Sequence, residues 1–181
     1  HKNTAEEFPV NCSGKQTRHW NCLAFSDDYE YLYAGSSTGD VCAILMKNLV
    51  MQSFTEVCSN GVRSIAFRNI RGVNAIFCGG GDGTLSVLVC SKPTTLQHTN
   101  QVKLNSDVQH ISFHPSSEWL VAARASGDIL KIQSHTLDQE ISMQHHPGVH
   151  SMACYPDGIS DIFAVEKKIE IVSNFIIFTN I

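Results

Sequence analysis

An all-β fold built from repeated four-stranded units follows from three features of the sequence. A glycine–acid turn recurs at a fixed interval, short apolar runs flank it, and a second apolar pattern keeps the same period. The turn reads Ser37-Thr38-Gly39-Asp40-Val41, then Gly81-Asp82-Gly83-Thr84-Leu85, then Ala125-Ser126-Gly127-Asp128-Ile129, with Gly39, Gly83 and Gly127 spaced 44 residues apart. Glycine supplies the positive-φ backbone that a tight hairpin needs. The flanking runs cover residues 31–34 and 41–45, 75–78 and 85–89, and 119–123 and 129–132. They are too short for stable helices and rich in β-branched and aromatic residues, so they read as strands.

The second pattern places apolar residues at i, i+3 and i+5 ahead of each hairpin: Val62/Ile65/Phe67, Val108/Ile111/Phe113 and Val149/Met152/Cys154, with a looser copy in Trp20/Leu23/Phe25. Its last two positions alternate as a strand does. A turn follows each copy, as in Ser26-Asp27-Asp28 and His114-Pro115-Ser116. The unit is strand, turn, strand, glycine–acid hairpin, strand and a more variable strand. A period of this size with four strands is the pattern of a β-propeller blade. Four blades are expected, at about 20–58, 59–105, 106–146 and 147–181, with 1–19 a polar lead-in or the end of a preceding blade.

The fourth unit departs from the others. Residues 149–155 and 161–165 read as its first two strands, but Glu166-Lys167-Lys168 stands where a glycine–acid turn is expected. Residues 169–172 give a third strand. The apolar tail around Phe175-Ile176-Ile177-Phe178 reads as the outer strand.

Composition narrows the function. The net charge is −4 and charged residues make up 17% of the chain, so no basic face is expected for nucleic acid or an anionic membrane. Lys167-Lys168 is the one adjacent basic pair in the blades, no run reaches transmembrane length, and residues 1–19 hold no apolar signal stretch. Seven cysteines, none in a C-x-x-C pair, read as buried free thiols of a reducing compartment. His110 and His114 bracket a strand end, and His145, His146 and His150 crowd one loop without a matching carboxylate, so no metal or cofactor is expected. Gly79–Gly83 lacks the lysine and following helix of a phosphate-binding loop, and no G-x-S-x-G is present. Asp40, Asp82 and Asp128 recur in the first three units together with Gly39, Gly81, Gly83 and Gly127. A catalytic residue is needed once, whereas a turn acid is needed in each repeat, so these are structural hairpin residues and no catalytic residue is assigned. The residues by themselves predict a docking platform and not an enzyme.

Residues 20–165 resemble the WD-repeat family. The Trp-Asp pair that closes the family's third strand is replaced by Met46-Lys47, Val89-Cys90 and Gln133-Ser134, and the Gly-His pair by Asn60-Gly61, Ser106-Asp107 and Pro147-Gly148. Since the resemblance implies a ring of seven blades, this chain reads as part of a larger propeller, and His1 in place of a methionine agrees with a fragment. The run from Phe25 to Val41, continuing through Ser59-Asn60-Gly61-Val62 into Gly79-Gly80-Gly81-Asp82-Gly83, is similar to the cilia- and flagella-associated protein 52 family. That resemblance implies a non-enzymatic microtubule inner protein of the axoneme. It would brace the doublet B-tubule near the inner junction, with tubulin and neighbouring luminal proteins as partners. The alternative expectation is a soluble cytosolic WD-repeat scaffold.

Overall fold

Each of the three glycine–acid turns closes a β-hairpin, and each hairpin is the middle of a four-stranded antiparallel sheet in the computed structural model. The structure describes residues 18–92, 95–143, 151–153, 162–166, 170–172 and 175–179. The first sheet is β1 (Trp20–Phe25), β2 (Tyr31–Ser36), β3 (Asp40–Leu45) and β4 (Val50–Glu56). The second is β5 (Val62–Ile70), β6 (Val73–Gly80), β7 (Thr84–Lys92) and β8 (Thr95–Lys103). The third is β9 (Val108–Phe113), β10 (Trp119–Arg124), β11 (Ile129–Gln133) and β12 (Gln139–Met143). In all three, strands pair with their chain neighbours only, as in a propeller blade. β1 packs on β5 and β5 on β9, so the first strand of each blade lines the inner side.

The blades pack face to face because strand alternation sends apolar side chains to both faces. Between the first two blades Tyr33, Val41 and Ala43 meet Val62, Ile65 and Ile76. Tyr33 stacks on Phe67 with ring centroids 5.7 Å apart. Between the second and third, Phe77, Leu85 and Val87 meet Ile111, Phe113 and Leu120. Phe77 and Phe113 stand edge to face at 4.8 Å. Each fully buried side chain of this size contributes about 1.5–3 kcal/mol.

The first residue of the apolar pattern has a specific role. An added Cβ on Gly35 would lie 2.6 Å from Val62 Cγ1, and one on Gly79 would lie 2.6 Å from Val108 Cγ1. Each valine therefore fills the space that a glycine of the preceding blade leaves open. The turn after the pattern takes two forms. In the first and third blades it spans five residues, closed by Ser26 N–H to Tyr31 C=O at 2.9 Å and His114 N–H to Trp119 C=O at 3.1 Å. In the second blade it is the two-residue Arg71-Gly72 turn, with φ of 51° and 84°.

The fourth sheet corrects the sequence expectation. It comprises β13 (Ser151–Ala153), β14 (Ile162–Glu166), β15 (Glu170–Val172) and β16 (Phe175–Thr179), in the order β13-β14-β16-β15. The tail strand β16 is not outermost. It pairs parallel with β14, from Ile162↔Phe175 to Glu166↔Thr179, and β15 lies outside it. Two sequence properties account for this. No glycine follows β14, so a tight antiparallel hairpin is not favoured there. The Phe-Ile-Ile-Phe run is continuously apolar, the sequence pattern of strands in parallel pairings.

Candidate functional site

The glycine–acid turns share one end of the blades with the linkers that enter β1, β5 and β9. A repeated backbone bond ties the two together. Ser37 N–H donates to His19 C=O at 2.8 Å, Gly81 to Gly61 at 2.8 Å, and Ala125 to Asp107 at 2.9 Å. Gly39, Gly83 and Gly127 have φ of 97°, 77° and 92°, the left-handed region that glycine adopts at least cost.

Each turn acid is held by hydroxyls and a cation. Asp40 accepts hydrogen bonds from the Ser36 and Thr38 hydroxyls and from Arg18 Nε at 2.6 Å. Asp128 accepts from Ser126 Oγ at 2.9 Å and Arg124 Nη2 at 2.5 Å. Asp82 accepts from Thr84 N–H at 3.0 Å, Ser59 Oγ at 3.2 Å and Lys103 Nζ at 3.0 Å. Gly83 occupies the place of Gly39 and Gly127, so Thr84 stands where Asp40 and Asp128 stand. Asp82 takes the place of Thr38 and Ser126. The sequence thus keeps an acid and a hydroxyl two residues apart in every turn, in reversed order in the second.

Partial burial pulls the Asp40 carboxyl upward, but the Ser36 and Thr38 hydroxyls and the Arg18 guanidinium outweigh it, and the group sits below the usual carboxylate range. Asp82 behaves the same way. Burial opposes ionisation, and the Thr84 and Lys103 side chains with the Thr84 and Ser59 N–H groups hold it far below the ordinary value.

The cation partners escaped sequence reasoning. Arg18 precedes β1, Lys103 ends β8 and Arg124 ends β10, so they share no spacing. The visible signal is the Ser or Thr two residues from each acid.

On the leading face of the first blade, the one turned away from the second blade, Leu23, Phe25 and Phe54 are exposed while Ala34, Cys42 and Ile44 are buried. Two rows of cross-strand neighbours run across this face, Leu23–Ala34–Cys42–Phe54 and Phe25–Leu32–Ile44–Met51. Leu23 is 59% exposed, whereas Ile65 and Ile111, at the same place in the next two blades, are each 9% exposed beneath the preceding blade. Arg18 lies over the Phe54 ring at 4.2 Å beside a cleft of about 400 Å³ that reaches Asp40.

Among the described residues no group of three or more His, Cys, Asp or Glu could hold a metal. His114 stacks on Trp119 at 4.2 Å, with Nδ1 2.8 Å from Ser116 Oγ, and so belongs to the turn. His145, His146 and His150 lie outside the described residues. Cys22, Cys42, Cys58, Cys78 and Cys90 are free thiols, and burial pushes Cys22 up to about 12 and Cys78 well above the ordinary value.

No protein-family model matches the sequence, and no curated protein matches it. Among solved structures it is similar to the β-propeller domain of Myceliophteria thermophila Cps50 (Swd1), with a TM-score of 0.63 at 11% sequence identity. The match covers 77% of this chain and 45% of that one, so this chain spans less than half the length of its structural neighbour. At that identity the likeness is one of architecture: the chain has the β-propeller fold of the WD-repeat type, built without the Trp-Asp pair.

Proposed function

We propose that this chain is a non-enzymatic structural element of the ciliary or flagellar axoneme, a microtubule inner protein that braces the B-tubule near the inner junction. One observation carries the reading. The run from Phe25 to Val41, which resembles the cilia- and flagella-associated protein 52 family, forms the end of β1, the turn after it, β2 and the first acid hairpin. A rigid stack of blades suits such a role, since its loops and faces present broad surfaces to several partners at once. Tubulin and neighbouring luminal proteins are the partners this reading names.

The test is salt extraction of isolated cilia followed by mass spectrometry. Retention of this chain's peptides on doublets after detergent and high salt is the expected result, and recovery only in the soluble fraction would refute the reading. A second reading, a soluble cytosolic scaffold for a multiprotein complex, shares every core feature of the blades; the net charge of −4 fits the axonemal reading where contacts avoid the acidic tubulin tails, which lie outside the lumen. The same extraction separates the two.

A further inference from the structure

The hairpin β5–β6 outruns its neighbour. After Phe67↔Ile76 it pairs Arg68↔Ala75, Asn69↔Asn74 and Ile70↔Val73, whereas β9–β10 stops at the equivalent pair Phe113↔Leu120. The second blade therefore overhangs the third at the end away from the acid turns. Beneath the overhang is a cleft of about 430 Å³ with a floor of Val73, Ala75, Val87 and Val89. Val73 is 47% exposed there.

The rim carries one fixed cation. Arg71 stands at its mouth beside His135, and Arg71 makes no ion pair among the described residues. Arg68, across the strand from Ala75, lies over the Phe113 ring at 5.3 Å, and its buried Nε has no hydrogen-bond partner among the described residues. One carboxylate, Glu118, lines an adjoining cleft that Arg71 and His135 also border. Arg71 also holds a position with φ of 51° in a two-residue hairpin turn, where Asn, Asp or Gly would be accommodated with less steric cost.

We propose that this cleft docks a short extended segment of a partner protein carrying an aliphatic side chain flanked by carboxylates. The aliphatic group sits on the valine floor, a carboxylate meets Arg71, and the Asn100 side chain offers hydrogen bonds to the segment's backbone. The inference stands apart from the axonemal reading, because any partner with such a segment satisfies it.

The experiment is fluorescence anisotropy on the full chain with a labelled Gly-Glu-Leu-Glu-Glu-Leu-Gly probe and its lysine-for-glutamate counterpart, at low and high salt. Saturable binding of the acidic probe, at least about tenfold tighter than the basic one and weakened by salt, is expected. Arg71→Asn removes the guanidinium while giving the turn its preferred Asn-Gly pair, so lost binding cannot be ascribed to misfolding. It should weaken the acidic probe about tenfold, as should Val73→Asp, whereas Arg63→Glu at the opposite end should leave binding unchanged. Absence of saturable binding, or binding that Arg71→Asn leaves intact, would overturn the proposal.

Discussion

Asp82 accepts the backbone N–H of Thr84 at 3.0 Å, which places acid and hydroxyl in the reverse order from Thr38–Asp40 and Ser126–Asp128. Lys103 accommodates the exchange by donating to both Asp82 and Thr84, and Ser59 reaches the same carboxylate from the linker between the first two blades. The acid therefore connects a hairpin, a strand end and a linker.

Replacing Asp82 should consequently be costly. Asp82→Ala is expected to destabilise the chain by about 1–3 kcal/mol, the range for losing charged hydrogen bonds that leave donors unpaired. Lys103→Met should cost less than about 1 kcal/mol, because its side chain is 60% exposed and water screens the pair. Urea unfolding curves measure both.

Acid should weaken the fold through the same carboxylates. Asp40 and Asp82 have folded values below the unfolded value of about 3.9, so their stabilising effect is complete above that pH and is lost as pH falls towards the folded values. Unfolding midpoints in urea should be flat in this contribution from neutral pH to about 5 and should drop below about 4. Asp82→Asn should flatten that drop; an unchanged acid limb in this variant would contradict the assignment.

Gly79→Ala should destabilise by about 1–3 kcal/mol through overpacking against Val108, despite the smaller entropy loss that alanine brings to folding. Val108→Ala in the same chain should recover part of the loss. Thermal melts of the single and double variants read the coupling.

The two sides of a blade should respond differently to truncation. Ile111→Ala, between blades, should cost about 2–5 kcal/mol, whereas Leu23→Ala, at an exposed position of the leading face, should stay within about 0.5 kcal/mol. Equal losses in denaturant titrations would mean that Leu23 is covered.

Cys42 and Cys78 should resist alkylation at pH 8 in the native chain and react fully in urea, since both are buried and burial raises the Cys78 value. Mass spectrometry after an iodoacetamide pulse gives the ratio at each site.

The blade order was legible because two periodic signals agree, the positive-φ glycines at 39, 83 and 127 and the apolar triplets before them. What the triplets' first residue does was not legible, because the fit of Val62 on Gly35 and Val108 on Gly79 joins residues of different blades. The ion partners were hidden for a related reason: Arg18, Lys103 and Arg124 reach equivalent acids from three unlike positions, so no repeat registers them. In the fourth sheet, local alternation identified strand segments but not their neighbours, since parallel pairing of β14 with β16 leaves no turn signature.

The close fits of Gly35 with Val62 and Gly79 with Val108 also bear on geometry at a larger scale. They lie towards the inner side of each blade interface, where β1 meets β5 and β5 meets β9. A glycine there lets the inner strands approach closely, and the angle between neighbouring sheets sets how far successive blades rotate about the axis. Bulk added at the glycines would thicken the inner side, reduce the rotation per blade and require more units for a complete turn.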